Sequence, residues 1–103
     1  MKKREMDCPI EYTSSIIANK WKILILRDLL KGTRRYSELQ KSVNGISAKV
    51  LTSNLKELER DGIISRKVYP EVPPRVEYSM TKKGMELQGI LDIMKSFGEK
   101  YDK

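Results

Sequence analysis

Residues 46–64 read ISAKVLTSNLKELERDGII, and the rest of the chain is interpreted around this stretch. At about 100° per residue, Leu51, Leu55 and Leu58 fall on one side of a helix. Lys49, Ser53, Lys56 and Arg60 fall on the other, with Thr52 on the flank. Ser47 suits an N-cap, because its hydroxyl can accept a hydrogen bond from a free first-turn amide. Ile46 can pack back on Leu51 as a hydrophobic staple, and Asp61-Gly62 supply the stop. The first half of this helix carries no acid; its outward side offers Ser47, Lys49, Thr52, Ser53 and Lys56. What that face touches decides the function.

Just upstream, Tyr36 to Val43 form a short helix in which Leu39 and Val43 make an i,i+4 apolar pair. The turn NGIS (residues 44–47) then leads straight into the longer helix. Two helices joined by three or four residues containing a glycine describe a helix-turn-helix, here over 36–61, whose second helix enters a major groove. Downstream, IISRKVY (63–69) and RVEYSM (75–80) both alternate, as strands do: Ile64, Arg66, Val68, then Val76, Tyr78, Met80. The prolines of the connector PEVPP keep it out of a central strand and suit a stiff hairpin tip. The expected result is a winged helix with its wing over 63–80, and with Arg75 beside the tip, within reach of a phosphate or the minor groove.

The flanks complete a mainly helical plan with one small β-hairpin. Pro9 can open a first helix at its N1 position, carrying Ile10, Ile16 and Ile17. NKWKILILRDLLKG (19–32) leaves little polar surface, which predicts a central core helix ended by Gly32. In TKKGMELQGILDIMKSFGEKY (81–101), Thr81 is a natural N-cap, and Leu87, Ile90, Leu91, Met94, Phe97 and Tyr101 repeat at helical spacing. A winged helix is closed without this segment, so the stripe is expected to pack on a second copy of the chain.

Composition narrows the chemistry. The 103 residues fit a single domain, expected over 8–103 behind a basic tail at 1–7. No apolar run approaches the roughly 20 residues of a membrane span. The first residues, MKKREMDCP, lack the apolar core of a signal peptide, so a cytoplasmic protein is expected. One cysteine and no histidine exclude an intrachain disulfide, the usual zinc ligand set and any histidine-based catalytic pair. There is no Gly-rich phosphate loop either. No catalytic constellation, metal or cofactor is expected.

The net charge of +7 is concentrated: residues 20–69 hold 12 basic and 5 acidic residues, the whole of the excess. Such a basic segment is the footprint of phosphate neutralisation by a nucleic-acid binder, although solvated lysines alone would give the same count. Arg34, Arg35 and Tyr36, just before the first helix of the motif, can grip a DNA backbone or form a solvated turn. The seven scattered aromatics offer no stacking platform for RNA.

Taken together, CP (8–9), KWKILIL (20–26), RYSEL (35–39), GISAKVLTSNLKELERDG (45–62), PPRVEY (73–78) and TKKG (81–84) resemble the HxlR-type winged-helix transcription regulators, relatives of the MarR group. The resemblance runs from Cys8 to about Tyr101. It implies a bacterial homodimer whose first and last helices form the interface, with Ile10, Ile17, Leu87, Ile90, Leu91, Met94, Phe97 and Tyr101 as its apolar residues. It implies a sequence-specific regulator, read as a repressor, on a pseudo-palindromic operator in double-stranded DNA. The competing reading is a winged helix used for protein interaction or RNA binding. Some relatives use a cysteine at the place of Cys8 to sense oxidants or electrophiles. Its position at a helix N-terminus, near Lys2, Lys3 and Arg4, favours a reactive thiolate, while Glu5 and Asp7 oppose it. The alternative for Cys8 is a small residue packed at the dimer interface.

Overall fold

A computed structural model of the chain describes residues 8–102. The elements run α1 (Pro9–Ile17), α2 (Lys20–Leu29), β1 (Arg34–Arg35), α3 (Tyr36–Ser42), α4 (Ala48–Arg60), β2 (Ile64–Tyr69), β3 (Arg75–Met80), α5 (Lys82–Met85) and α6 (Gln88–Tyr101). The helix-turn-helix is α3 and α4, and the wing is the β2–β3 hairpin, so the winged-helix plan expected from the sequence is the one observed.

Local chemistry explains most boundaries. Pro9 stands at the start of α1, and Asn19 caps α2 by accepting from the amides of Trp21 (2.8 Å) and Lys22 (3.4 Å). Ser47 caps α4 by accepting from the Val50 amide at 3.2 Å. Gly62, at φ +75°, ends α4 in the left-handed region, which a side chain would strain.

The core is built around α2 and α4. Ile25, Leu26 and Leu29 of α2 meet Leu51, Leu55 and Leu58 of α4, with Leu39, Val43, Ile63 and Ile64 around them, all buried. Helix α2 is less uniformly apolar in its environment than its sequence suggests. Trp21, Ile23, Leu24 and Leu30 are only half-buried, whereas Lys22 and Asp28 are buried and paired.

Two features depart from the expectation. The sheet has three strands in the order β1-β3-β2, because Arg34 and Arg35 pair antiparallel with Tyr78 and Glu77. The segment expected to be a solvated turn or a free backbone grip is therefore also an edge strand; two residues are too few for any periodicity to show.

The C-terminal stripe is also not one helix. Thr81 caps α5 by accepting from the Gly84 amide at 3.0 Å, while its hydroxyl donates to the carbonyls of Gly62 (2.6 Å) and Ile63 (3.0 Å). A Cβ on Gly84 would collide with the Ile63 carbonyl, so glycine is needed for α5 to approach the strand start. The chain then breaks at Glu86–Leu87 before α6 begins. Leu87 is consequently in the chain's own core, not on an outer stripe.

Candidate nucleic-acid interface

Helix α4 presents Lys49, Thr52, Ser53 and Lys56 along one open surface, with Ser47 exposed at its start. The apolar back of the helix is held by Leu51, Leu55 and Leu58, each at most 1 % exposed. The orientation is therefore not adjustable: turning the polar face inward would expose three leucines, at about 2 kcal/mol each. No acid occupies the first turn, so the positive end of the helix dipole stays uncompensated.

Glu57, which lines this surface, is held aside. Glu57 Oε1 lies 2.6 Å from Lys22 Nζ, whose side chain is 6 % exposed. The pair ties α4 to α2 and neutralises an acid that would repel phosphate. Glu59 is exposed on the groove between α4 and the wing.

Tyr36 sits differently from a free backbone grip. Its hydroxyl donates to the Ala48 carbonyl at 3.1 Å and lies 3.0 Å from Thr52 Oγ1. It thus braces the start of α4 and fixes Thr52. Arg35 is exposed where the α3 start meets the wing tip, its amide donating to Glu38 Oε1 at 2.8 Å. Arg34 is half-buried and donates to the Thr33 carbonyl at 3.2 Å.

Arg75 shares the groove of Arg35 but is more constrained than a tip cation should be. Its Nη1 lies 3.1 Å from Glu71 Oε2, its guanidinium stacks 3.9 Å over the Tyr69 ring, and its Nε lies 3.2 Å from Glu77 Oε2. That last approach is an ion-pair distance without hydrogen-bond alignment, and Nε is buried. Both carboxylates are neighbours in the chain, Glu71 four residues earlier in the connector and Glu77 two residues later on the same side of β3.

One basic residue was passed over in the sequence. Arg66, on β2, faces the groove shared by Tyr36, Thr52, Lys56 and Tyr78. It stands on an alternating strand position otherwise filled by Ile64 and Val68, so a charge there was a usable signal. Burial pushes the Tyr78 phenol above its ordinary range, and a hydrogen bond from Arg66 works against that shift.

The residues expected at a dimer interface divide into two groups. Ile10 is exposed, as are Ile90, Met94, Phe97 (66 %) and Tyr101 (62 %). Ile17 and Leu91 are half-buried against the core, and Leu87 is inside it. Ile93, absent from the expected set, is the most exposed apolar residue of α6, at 72 %. Its spacing from Ile90 and Phe97 is i+3 and i+4, so the stripe could have included it.

Cys8 is an exposed free thiol at the start of α1, and its side chain makes no capping bond. Lys2, Lys3, Arg4, Glu5 and Asp7, on which its expected reactivity leaned, lie outside the described residues. Among the described residues no group of His, Cys, Asp and Glu could hold a metal ion, and no helix is long and apolar enough to cross a membrane.

Comparison with known proteins gives one consistent answer. A model of the HxlR-like helix-turn-helix family matches residues 16–103. An uncharacterized HTH-type transcriptional regulator from Synechocystis sp. is 50 % identical over 91 residues, covering 88 % of this chain and 67 % of that protein. The crystal structure of a MarR-family transcriptional regulator from Porphyromonas gingivalis W83 superposes with a TM-score of 0.90 at 40 % identity, covering 98 % of this chain and 99 % of that one. The redox regulator HypR in its oxidised form superposes with a TM-score of 0.85 at 42 % identity, covering 90 % and 96 %. These relatives are regulators and not enzymes.

Proposed function

The chain belongs to the HxlR-like helix-turn-helix family, a family of DNA-binding transcription regulators, and from that premise we propose that it is a homodimeric repressor acting in the cytoplasm on a pseudo-palindromic operator. The observation that carries the reading is the α4 surface, on which Lys49, Thr52, Ser53 and Lys56 stand together while leucines lock the back of the helix. In the major groove, serine and threonine serve bases or phosphates, and lysine serves guanine or phosphate. Arg35, Arg66 and Arg75 line the adjoining grooves, where they suit flanking phosphates. Arg75 must exchange Glu71 or Glu77 for phosphate to do so. Arg34 takes a supporting place in the edge strand.

The dimer is supported by the exposed run of Ile90, Ile93, Met94, Phe97 and Tyr101 on α6, together with Ile10 on α1. A two-fold related pair of α4 helices then reads half-sites about one helical turn apart. Binding of duplex from the chain's own upstream region should exceed binding of random duplex at two salt concentrations. Equal affinity at physiological salt would rule out sequence-specific regulation. Effective competition by single-stranded RNA would favour the RNA-binding reading instead.

A thiol response through Cys8 is supported by its exposure at the start of α1 and by the likeness to HypR, a redox regulator. Oxidant should change the DNA affinity of the parent and leave a Cys8→Ser variant unmoved. An identical response from both would make Cys8 structural.

A further inference from the structure

We propose that Thr52 reads the exocyclic amino group of an adenine or a cytosine in the major groove, and that Tyr36 imposes this choice by holding the Thr52 hydroxyl as a hydrogen-bond acceptor. The assignment rests on the regulator reading above and names the base chemistry that one position of α4 selects.

A hydroxyl left to itself has no such preference, since it carries one proton and two lone pairs and can turn either towards a base. Ser53 is in that condition: it is exposed, and among the described residues its hydroxyl has no hydrogen-bond partner. Thr52 differs because of two contacts. The Tyr36 phenol oxygen lies 3.1 Å from the Ala48 carbonyl oxygen and 3.0 Å from Thr52 Oγ1. A carbonyl cannot donate, so the proton in the first contact is the phenol's, and the phenol has only that one. The phenol oxygen therefore accepts in the second contact, and the proton there belongs to Thr52.

The other usual outlet for a helical threonine is the carbonyl four residues back. Here that carbonyl is Ala48's, and its two lone pairs already serve the Thr52 amide of the helix and the phenol. The protons thus run one way, from Thr52 to Tyr36 to Ala48. Oγ1 has only lone pairs left for an incoming base.

Thr52 lines the open surface of α4 beside Lys49 and Lys56, and also the groove towards Arg66 on the wing. Those three cations only donate, so they suit guanine and phosphate. An acceptor suits the two amino groups displayed in the major groove, adenine N6 and cytosine N4. Exchanging adenine for guanine, or cytosine for thymine, on that strand puts a carbonyl oxygen in the same place. Two acceptors then stand face to face, and neither is satisfied.

The test uses the full chain and an operator selected from a randomised duplex pool. The position that Thr52→Val renders indifferent marks the contacted pair, and two kinds of analogue of that pair are then compared. Purine for adenine, or 2-pyrimidinone for cytosine, deletes the amino group. A 5-methyl-2-pyrimidinone for thymine, or 2-aminopurine for guanine, deletes the facing carbonyl oxygen. Loss of the amino group should weaken binding by the parent and by Thr52→Ser at least about fivefold, and by Thr52→Val less than about twofold. Loss of the oxygen should cost the parent and Thr52→Val alike. The assignment is overturned if no position responds to Thr52→Val, or if the oxygen is the group whose cost depends on Thr52.

Tyr36→Phe frees the Thr52 proton to face the duplex. The amino-group penalty should then fall to about half the parent's or less, while preferences at other positions stay as they were. Lost support for α4 would instead blunt every position. An unchanged penalty, or an equal decline everywhere, overturns the role of Tyr36. A parent that selects no sequence at all overturns the regulator reading along with this one, whereas selection with any of the earlier failures overturns this one alone.

Discussion

Helices α4 and α6 are almost the same length, 13 and 14 residues, and both are amphipathic, yet the fold treats them in opposite ways. The leucines of α4 are completely covered by its own chain, and what remains outside is polar and free of acid in the first turn. Helix α6 has no buried residue, and its exterior carries Ile93, Phe97 and Tyr101, each more than 60 % exposed. A satisfied apolar face leaves a helix whose surplus bonding capacity is polar, suited to a wet, charged partner. An unsatisfied one leaves a surface whose free energy falls only when another apolar surface covers it. Under the function proposed above, the two helices are addressed to different partners, duplex and second copy.

Substitutions on the two helices should separate these roles. The largest effect is expected from Leu55→Ala, which empties space at the α2–α4 contact. It should lower unfolding free energy by about 2–5 kcal/mol, read by denaturant titration. A loss below about 1 kcal/mol would mean that α4 is not locked as described. Phe97→Glu should come next, shifting the dimer equilibrium by about 2 kcal/mol in sedimentation while leaving monomer stability nearly unchanged. If the dimer persists, α6 is not its contact.

Lys56→Ala should weaken duplex binding by about 1 kcal/mol and, if the contact is to phosphate, reduce the salt slope by about 1. Its unfolding curve should overlay that of the parent. Unaltered affinity and slope would remove Lys56 from the interface.

The smallest effect concerns Asp28. Burial works to raise its carboxyl, but hydrogen bonds from Arg27 and Ser42 outweigh this and hold it below the usual carboxylate range. A folded-state value below the unfolded one, about 3.9, means that the stabilisation is present above pH 4. It disappears as the pH falls through the folded value. Asp28→Asn should therefore flatten the stability profile below about pH 4, by under about 1 kcal/mol. An unchanged acid limb would show that Asp28 is not held this way.

The parts legible in advance share a physical basis: they depend on neighbours in sequence. Ser47 as a cap, Gly62 as a stop, the Leu51-Leu55-Leu58 stripe and the alternation of β2 and β3 are all local, and so is the polar surface of α4. The parts that escaped depend on what arrives from elsewhere. Arg34 and Arg35 pair with β3 because hairpin closure brings that strand beside them. Leu87 is buried because Gly84 lets α5 meet the Ile63 carbonyl. Arg75 is an exception: Glu71 and Glu77, which clamp it, lie four residues before and two residues after it, within reach of a local reading.

Fold class, family and the outward chemistry of α4 were thus present in the order of the residues, since periodicity and capping operate within a few positions. That Lys22 pairs with Glu57, which apolar residues remain uncovered and where a cleft opens between α2 and α6 were decided only in three dimensions. Such outcomes depend on distances between segments that are remote in the chain, and no local pattern encodes them.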